Sequence, residues 1–246
     1  MLEALKNHPF GVVAELEKTV VLTFAAPKAE LLAMIPSFLA LDTFNDRWGF
    51  IAMAVVRARA LRPTGYPRWS GQDFWLIGYR IFVRYTNAQG RGSRGLYILG
   101  SETDRRLMAL LGNCFTRYRY AFKPMITKVN SDGLTLRTTD GDTVVEVKDR
   151  GEPVALPPNS VFAGWSEARR FVGPLPFTFS HAPKRNHVLI VEGARTDWRP
   201  RPVAIEEHRC AFIERLGLSQ LHLSNAFMID HVPYHWKPGV LEPIVP

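Results

Sequence analysis

The sequence predicts a mainly β protein with few short helices, an α+β chain in which strands dominate. Three observations point there. Short runs rich in aromatic and β-branched residues recur along the chain. Clusters of Asn, Asp and Gly separate them, as turns require. Stretches with helical start and stop signals are few and short.

Taken in order, the first strand expected is 48–56, Trp-Gly-Phe-Ile-Ala-Met-Ala-Val-Val. It is apolar on both faces and suits a central strand covered on both sides. Residues 74–83 and 95–99 follow as a strand pair joined through the turn-rich 87–92. A meander is expected over 121–129, 134–137 and 144–147, with turns at Asn130-Ser131-Asp132-Gly133 and Asp140-Gly141-Asp142. Late strands are read at 187–192, 202–207 and 221–231. Helices are expected at 27–34, with Pro27 in the tolerated first turn, and at 102–111, with Ser101 as N-cap. Two more are read at 165–172 and at 210–216, the last stopped by Gly217. The proline-rich 150–160 reads as a loop and 232–246 as a surface tail. The whole of 1–246 is expected to form one domain.

Composition narrows the function classes. Hydrophobic residues make up 46% and charged residues 22% of 246, which excludes wholesale disorder. No apolar run reaches the length of a membrane-spanning helix. Glu3 and Lys6 interrupt the place where a signal peptide needs its apolar centre, so a cytoplasmic location is expected and no membrane partner. Cys114 and Cys210 are too few and too far apart for a disulfide scaffold. The net charge of +8 permits an anionic partner without naming one. Arginines gather at Arg57, Arg59 and Arg62, at Arg91 and Arg94, and at Arg117 and Arg119. They are spread over several segments, and the aromatics fall within strands, so nucleic acid is not the expected partner. Association into a homo-oligomer stays open.

Several stretches in series resemble a known pattern. They are Leu31-Leu32-Ala33-Met34-Ile35-Pro36, Leu41-Asp42, Asp46-Arg47-Trp48, Phe74 to Val83, Gly95-Leu96-Tyr97 and Tyr118 to Met125. Over about residues 30–135 the chain resembles the acetoacetate decarboxylase-like superfamily, in its uncharacterised branch (domain of unknown function 2071). The resemblance implies a strongly bent antiparallel sheet, a β-cone or barrel, around an internal pocket. It further implies a small organic or keto acid as ligand, and Schiff-base lyase chemistry on a pocket lysine, decarboxylase-like or aldolase-like. Against the branch pattern, Leu76 replaces a glutamate, Gly78 an asparagine, Phe82 a tyrosine and Phe122 a histidine, while Arg80 is kept. An alignment through Met125 puts Phe122 at the nucleophile's place and Lys123 beside it.

Individual residues carry the chemistry. Alternation puts Leu76, Gly78, Arg80 and Phe82 on one strand face. A guanidinium among apolar neighbours needs a partner. Arg80 therefore either clamps a carboxylate or phosphate or pairs with an acidic side chain elsewhere. Lys123 on an apolar wall would have a lowered pKa and could attack a carbonyl; the bland alternative is a lysine reaching to water. Glu192 is a partner for Arg80, a proton carrier, or a strand-end carboxylate in water. Tyr120 is placed with them by position. Among the histidines, His231 and His235 would sit roughly 13 Å apart on a strand, too far for one ion, and Pro233 argues against a helix; no metal is expected. Gly90-Arg91-Gly92-Ser93-Arg94-Gly95 links two strands instead of opening a helix, so no nucleotide cofactor is expected either.

The reading is a protein that binds a small organic acid in an internal pocket. Lys123, Glu192 and Tyr120 are the catalytic candidates, and Arg80, Leu76, Gly78, Phe82 and Phe122 the binding candidates. The alternatives are a non-catalytic small-molecule binder of the same fold and a basic surface for nucleic acid or anionic lipid.

Overall fold

The computed structural model describes residues 2–151, 154–196 and 198–244. The elements are α1 (Leu2–Leu5), β1 (Val12–Pro27), α2 (Lys28–Leu32), β2 (Ala40–Leu41), β3 (Trp48–Pro63), β4 (Gln72–Thr86), β5 (Gly92–Thr103), α3 (Arg106–Phe115), β6 (Tyr120–Phe122), β7 (Met125–Asn130), β8 (Gly133–Thr138), β9 (Thr143–Lys148), α4 (Trp165–Val172), β10 (Phe177–Ala182), β11 (His187–Arg195), β12 (Arg201–Pro202), β13 (Ala204–Cys210), α5 (Ala211–Glu214), β14 (His222–Trp236) and β15 (Val240–Pro243).

The larger sheet runs β12-β14-β1-β3-β4-β5-β10-β11-β15, with β2 on β4 and β6 on β5. A further pairing of β11 with β14 brings the path back on itself, so the sheet is curled. Its ladders are antiparallel except for two short parallel ones, β5–β10 and β5–β6. A smaller sheet, β13-β9-β8-β7, is the predicted meander with one strand added.

The curl gives each long strand two apolar faces. On β3, Ile51, Met53 and Val55 join one core, which includes Leu134, Leu136, Val145 and Val147 of the smaller sheet. Ala52, Ala54, Val56 and Ala58 join a second core on the opposite face, with Phe162, Ala168 and Val172 of the α4 region. That is why the sequence of β3 is apolar throughout. Several residues on this second face are alanines, and short side chains there leave a hollow under the sheet.

Several expectations need correction. The sequence reading assigns no element to β1 or β10. Yet β1 shows both strand signals: Ala14 and Leu16 alternate with Glu15 and Glu17, and an apolar run follows. The helix expected from Glu102 begins at Arg106, because Ser101 to Thr103 are held as strand between Gly78–Leu76 on one side and Tyr120–Phe122 on the other. Ser101 is therefore no N-cap. The stretch 121–129 is broken at Lys123-Pro124 into β6 and β7. The expected tail at 232–246 is largely structure: Val232 is fully buried within β14 and β15 pairs with β11. The last two residues of that stretch lie outside the described residues, as do residues 152 and 153 of the expected loop.

Candidate functional site

β4 sets the site. The Arg57–Trp75 to Ile51–Ile81 register with β3 sends Ile77, Tyr79 and Ile81 into the core shared with the smaller sheet. Phe74, Leu76, Arg80 and Phe82 point the other way, into a cavity of about 480 Å³. That volume lies within the range of small-molecule sites. The wall is largely apolar. It includes Ala52, Ala54, Val56, Leu96, Ile98 and Phe227, and the segment 172–176 after α4. Among the described residues, no lysine, aspartate or glutamate lines it.

Arg80 is the charge set within this wall, while Arg62 and Arg195 stand at its rim. Its Nε is buried and has no hydrogen-bond partner, and no ion pair reaches the side chain among the described residues. Burial holds its pKa below the ordinary guanidinium value, and the ionisable groups that oppose this are the phenols of Tyr234, Tyr120 and Tyr118. Arginine remains protonated at neutral pH all the same. The guanidinium lies back over Gly78: a Cβ there would stand 3.1 Å from both Nε and Nη2. Gly78 is thus a place cleared for the head group of Arg80, two residues along the same strand face.

The tyrosines complete the polar corner. Tyr118 Oη lies 2.8 Å from Thr178 Oγ1, and burial pushes its pKa up to about 12. Tyr120 is pushed up further, by burial first and by Tyr118 second. Both phenols are therefore neutral at physiological pH, and each can donate to an anion. The sequence reading assigns neither Tyr118, which only opens a family-like stretch, nor Tyr234 to the site: both are strand or loop aromatics of a kind that more often fills a core.

The other candidates lie elsewhere. Lys123 is on the face of the sheet away from the cavity. Its Nζ is 2.5 Å from Asp140 and 2.6 Å from Asp142, with Glu102 at 3.9 Å. Desolvation works to lower its pKa, but these carboxylates together raise it, opposite to the lowered value expected for a lysine on an apolar wall. Glu102 is itself buried, with its pKa raised chiefly by desolvation, and accepts a hydrogen bond from Tyr79 Oη at 2.9 Å. Glu192 does not meet Arg80; it accepts from Lys237 Nζ at 2.8 Å and is partly exposed. Phe122 is 36% exposed and packs under Arg106, whose Cζ is 4.6 Å above the ring. The structure therefore brings Arg80, Gly78, Leu76, Phe82 and Tyr120 together and leaves Lys123, Glu192 and Phe122 outside.

The late histidines are likewise apart. His222 meets the Trp48 ring at 5.1 Å, His231 Nδ1 lies 3.4 Å from Glu15, and His235 Nε2 lies 3.4 Å from Thr64. No group of three or more metal-type side chains comes together among the described residues. No helix among them is long and apolar enough to cross a membrane.

Solved structures share this architecture. An acetoacetate decarboxylase from Legionella pneumophila superposes with a TM-score of 0.63 at 12% identity, covering 95% of this chain and 87% of its own. An acetoacetate decarboxylase-like enzyme from Sphingomonas wittichii gives 0.58 at 10% identity, over 98% and 96%. The enduracididine biosynthesis enzyme MppR, complexed with pyruvate, gives 0.55 at 8% identity, over 95% and 90%. At such identities the likeness is one of fold, which is the bent acetoacetate decarboxylase-like sheet the sequence motifs imply. No curated protein matches the chain in sequence. A family model does match, from residue 13 to residue 240, and on that match the protein belongs to the DUF2071 family of uncharacterized conserved proteins.

Proposed function

We propose that this protein binds an apolar organic acid in the cavity, without a covalent bond, with the carboxylate on Arg80 and the hydrocarbon against the apolar wall. One observation carries the reading: a guanidinium stands in an apolar cavity with no carboxylate facing it among the described residues. A charge taken out of water without a counter-charge costs several kcal/mol. A ligand carboxylate would supply the counter-charge and could accept two parallel N–H bonds. The neutral phenols of Tyr118 and Tyr120 stand near enough to Arg80 to influence it and would add donors.

This reading favours a binding protein over a Schiff-base enzyme. Imine formation needs an unprotonated amine inside the cavity. Lys123 is tied to three carboxylates, which favour its ammonium form, and it stands across the sheet. The reading also stands above a nucleic-acid surface. Arg59 is paired with Glu17 and Asp73, Arg94 with Asp42, and Arg117 with Glu3, so one arginine of each cluster noted in the sequence is already held by a carboxylate.

Calorimetric titration with medium-chain carboxylic acids, their methyl esters and the matching alcohols tests the proposal. The acids should bind and the esters should not. Arg80→Gln should weaken acid binding by about 10- to 100-fold, the worth of a charged hydrogen-bonded contact. Esters that bind as well as acids, or an Arg80→Gln variant that keeps full affinity, would overturn it.

A further inference from the structure

A shallower groove adjoins the cavity. It is walled by residues 13–15, 194–196, 231 and 233–235, with Ala60, Arg62 and Arg68. Arg62, Arg195 and Tyr234 line both spaces and form their common rim. Tyr234 ties the two together: it is an ionisable group facing Arg80, and it also borders the groove. Its ring packs on Trp236 at 4.3 Å between centroids, and its hydroxyl lies over Gly193, where a Cβ would come within 2.0 Å.

The rim arginines are fixed but not neutralised. Arg62 donates from Nε to Tyr66 O at 2.9 Å and from Nη1 to Ala60 O at 2.8 Å. Arg195 donates from Nη2 to Pro174 O at 2.9 Å and from Nη1 to Leu175 O at 3.5 Å, with its Cζ 4.7 Å above the Trp198 ring. Main-chain carbonyls orient a guanidinium and leave its charge in place. Neither arginine has a carboxylate at ion-pair distance among the described residues. Glu15, the acidic residue of the groove, is occupied by Arg68 Nη2 at 2.8 Å and faces His231 Nδ1 at 3.4 Å. The groove thus offers two fixed cations, without a carboxylate partner among the described residues, at the edge of a cavity that holds a third, Arg80.

We infer that the groove receives a second anionic group of the same ligand, so that the ligand is an elongated dianion with an apolar middle. This inference rests on the reading of the cavity given above. The inner carboxylate lies on Arg80, the hydrocarbon fills the apolar space, and the outer carboxylate meets Arg62 and Arg195 at the rim. Arg68 contributes by keeping Glu15 neutralised: without it, a free carboxylate would face the incoming anion.

The test compares straight-chain monoacids with α,ω-diacids of matched length, from eight to fourteen carbons, by calorimetric titration at low and high salt. At the best-fitting length the diacid should bind about tenfold tighter than the monoacid, as a second charge-assisted contact implies. The advantage should shrink with added salt, because the groove is open to solvent. The ratio of diacid to monoacid affinity should fall below about threefold in Arg62→Gln, and Arg68→Gln should lower it too should the first variant fold poorly. Monoacids that bind while diacids of every length bind no better would overturn the second site and leave the Arg80 reading standing. So would a diacid advantage that persists in both variants. If no acid of either kind binds, the reading of the cavity falls, and this inference with it.

Discussion

Replacing Arg80 by methionine should raise the stability of the ligand-free protein while removing acid binding. The two chains are of comparable bulk, so the packing change is small. What changes is a charge in an apolar wall with no carboxylate facing it among the described residues. Exchanging buried charges for apolar groups of similar volume has stabilised proteins by roughly 1–4 kcal/mol. The lower part of that range applies here, since a cavity of about 480 Å³ has room for water on one side of the guanidinium. A gain of about 1–2 kcal/mol corresponds to a rise in Tm of about 2–8 °C for a chain of this size. Differential scanning calorimetry of both proteins without ligand measures it, and a titration with the best-binding acid gives the other half. A fall of several degrees in the variant would refute the reasoning: Arg80 would then hold the fold together through a partner, and its role as a free anion receptor would be lost.

Five further outcomes follow from the same geometry. Gly78→Ala should weaken acid binding by at least about threefold with less than ~1 kcal/mol lost in urea unfolding, because the new methyl meets the flexible guanidinium 3.1 Å away and not backbone. Asp42→Ala should cost about 2–4 kcal/mol, read from the urea midpoint, since the fully buried carboxylate joins Arg84 at 2.7 Å and Arg94 at 2.6 Å. Acid should destabilise the protein as pH falls from about 4 toward 2: Asp140 and Asp142 are held below the ordinary carboxylate range, chiefly by Lys123, and a lowered folded-state pKa gives stability above the unfolded value that disappears as the group takes its proton. Lys123→Met should lower Tm at neutral pH and flatten that acid limb. Borohydride treatment in the presence of pyruvate or longer keto acids should leave the mass of the Lys123 peptide unchanged; a reduced adduct on Lys123 would restore the Schiff-base reading.

Much of the fold is written in local patterns, and the parts that are not have identifiable reasons. The 74–83 strand, its alternation and the inward face holding Leu76, Arg80 and Phe82 follow from period-two spacing alone. The hairpin turns around Gly133 and Gly141 follow from turn chemistry. Lys123 was misplaced because two sheets, not one, cover that region, and the carboxylates that claim it lie on the Asp140–Asp142 turn, remote in sequence. Glu192 fell on the face opposite the cavity, beside Lys237 of the chain's last segment. Arg62 stands in the sequence only as one of several clustered arginines, Tyr118 only as the edge of a family-like stretch, and Tyr234 and Arg195 have no local mark: they meet only when the sheet curls and β11 reaches β14. Gly78 could be read as a lost polar side chain; the structure shows it as space that another residue's head group uses.

The curl of the large sheet is sealed by a short seam. β11 meets β14 through Gly193–Trp236, Ala194–His235 and Arg195–Tyr234, whereas β1 follows β14 from Val12–Trp236 to Ala25–His222. A hoop fastened by so brief a clasp, with the equally short β5–β10 ladder as its other thin link, gives way at these two places before its longer ladders do. Two of the clasp's residues, Arg195 and Tyr234, also stand at the doorway between groove and interior. Entry of the proposed acid would then need only a local breath of the wall at such a seam, and amide exchange at 194–195 should slow once the acid is seated while the long ladders of β1 stay unchanged.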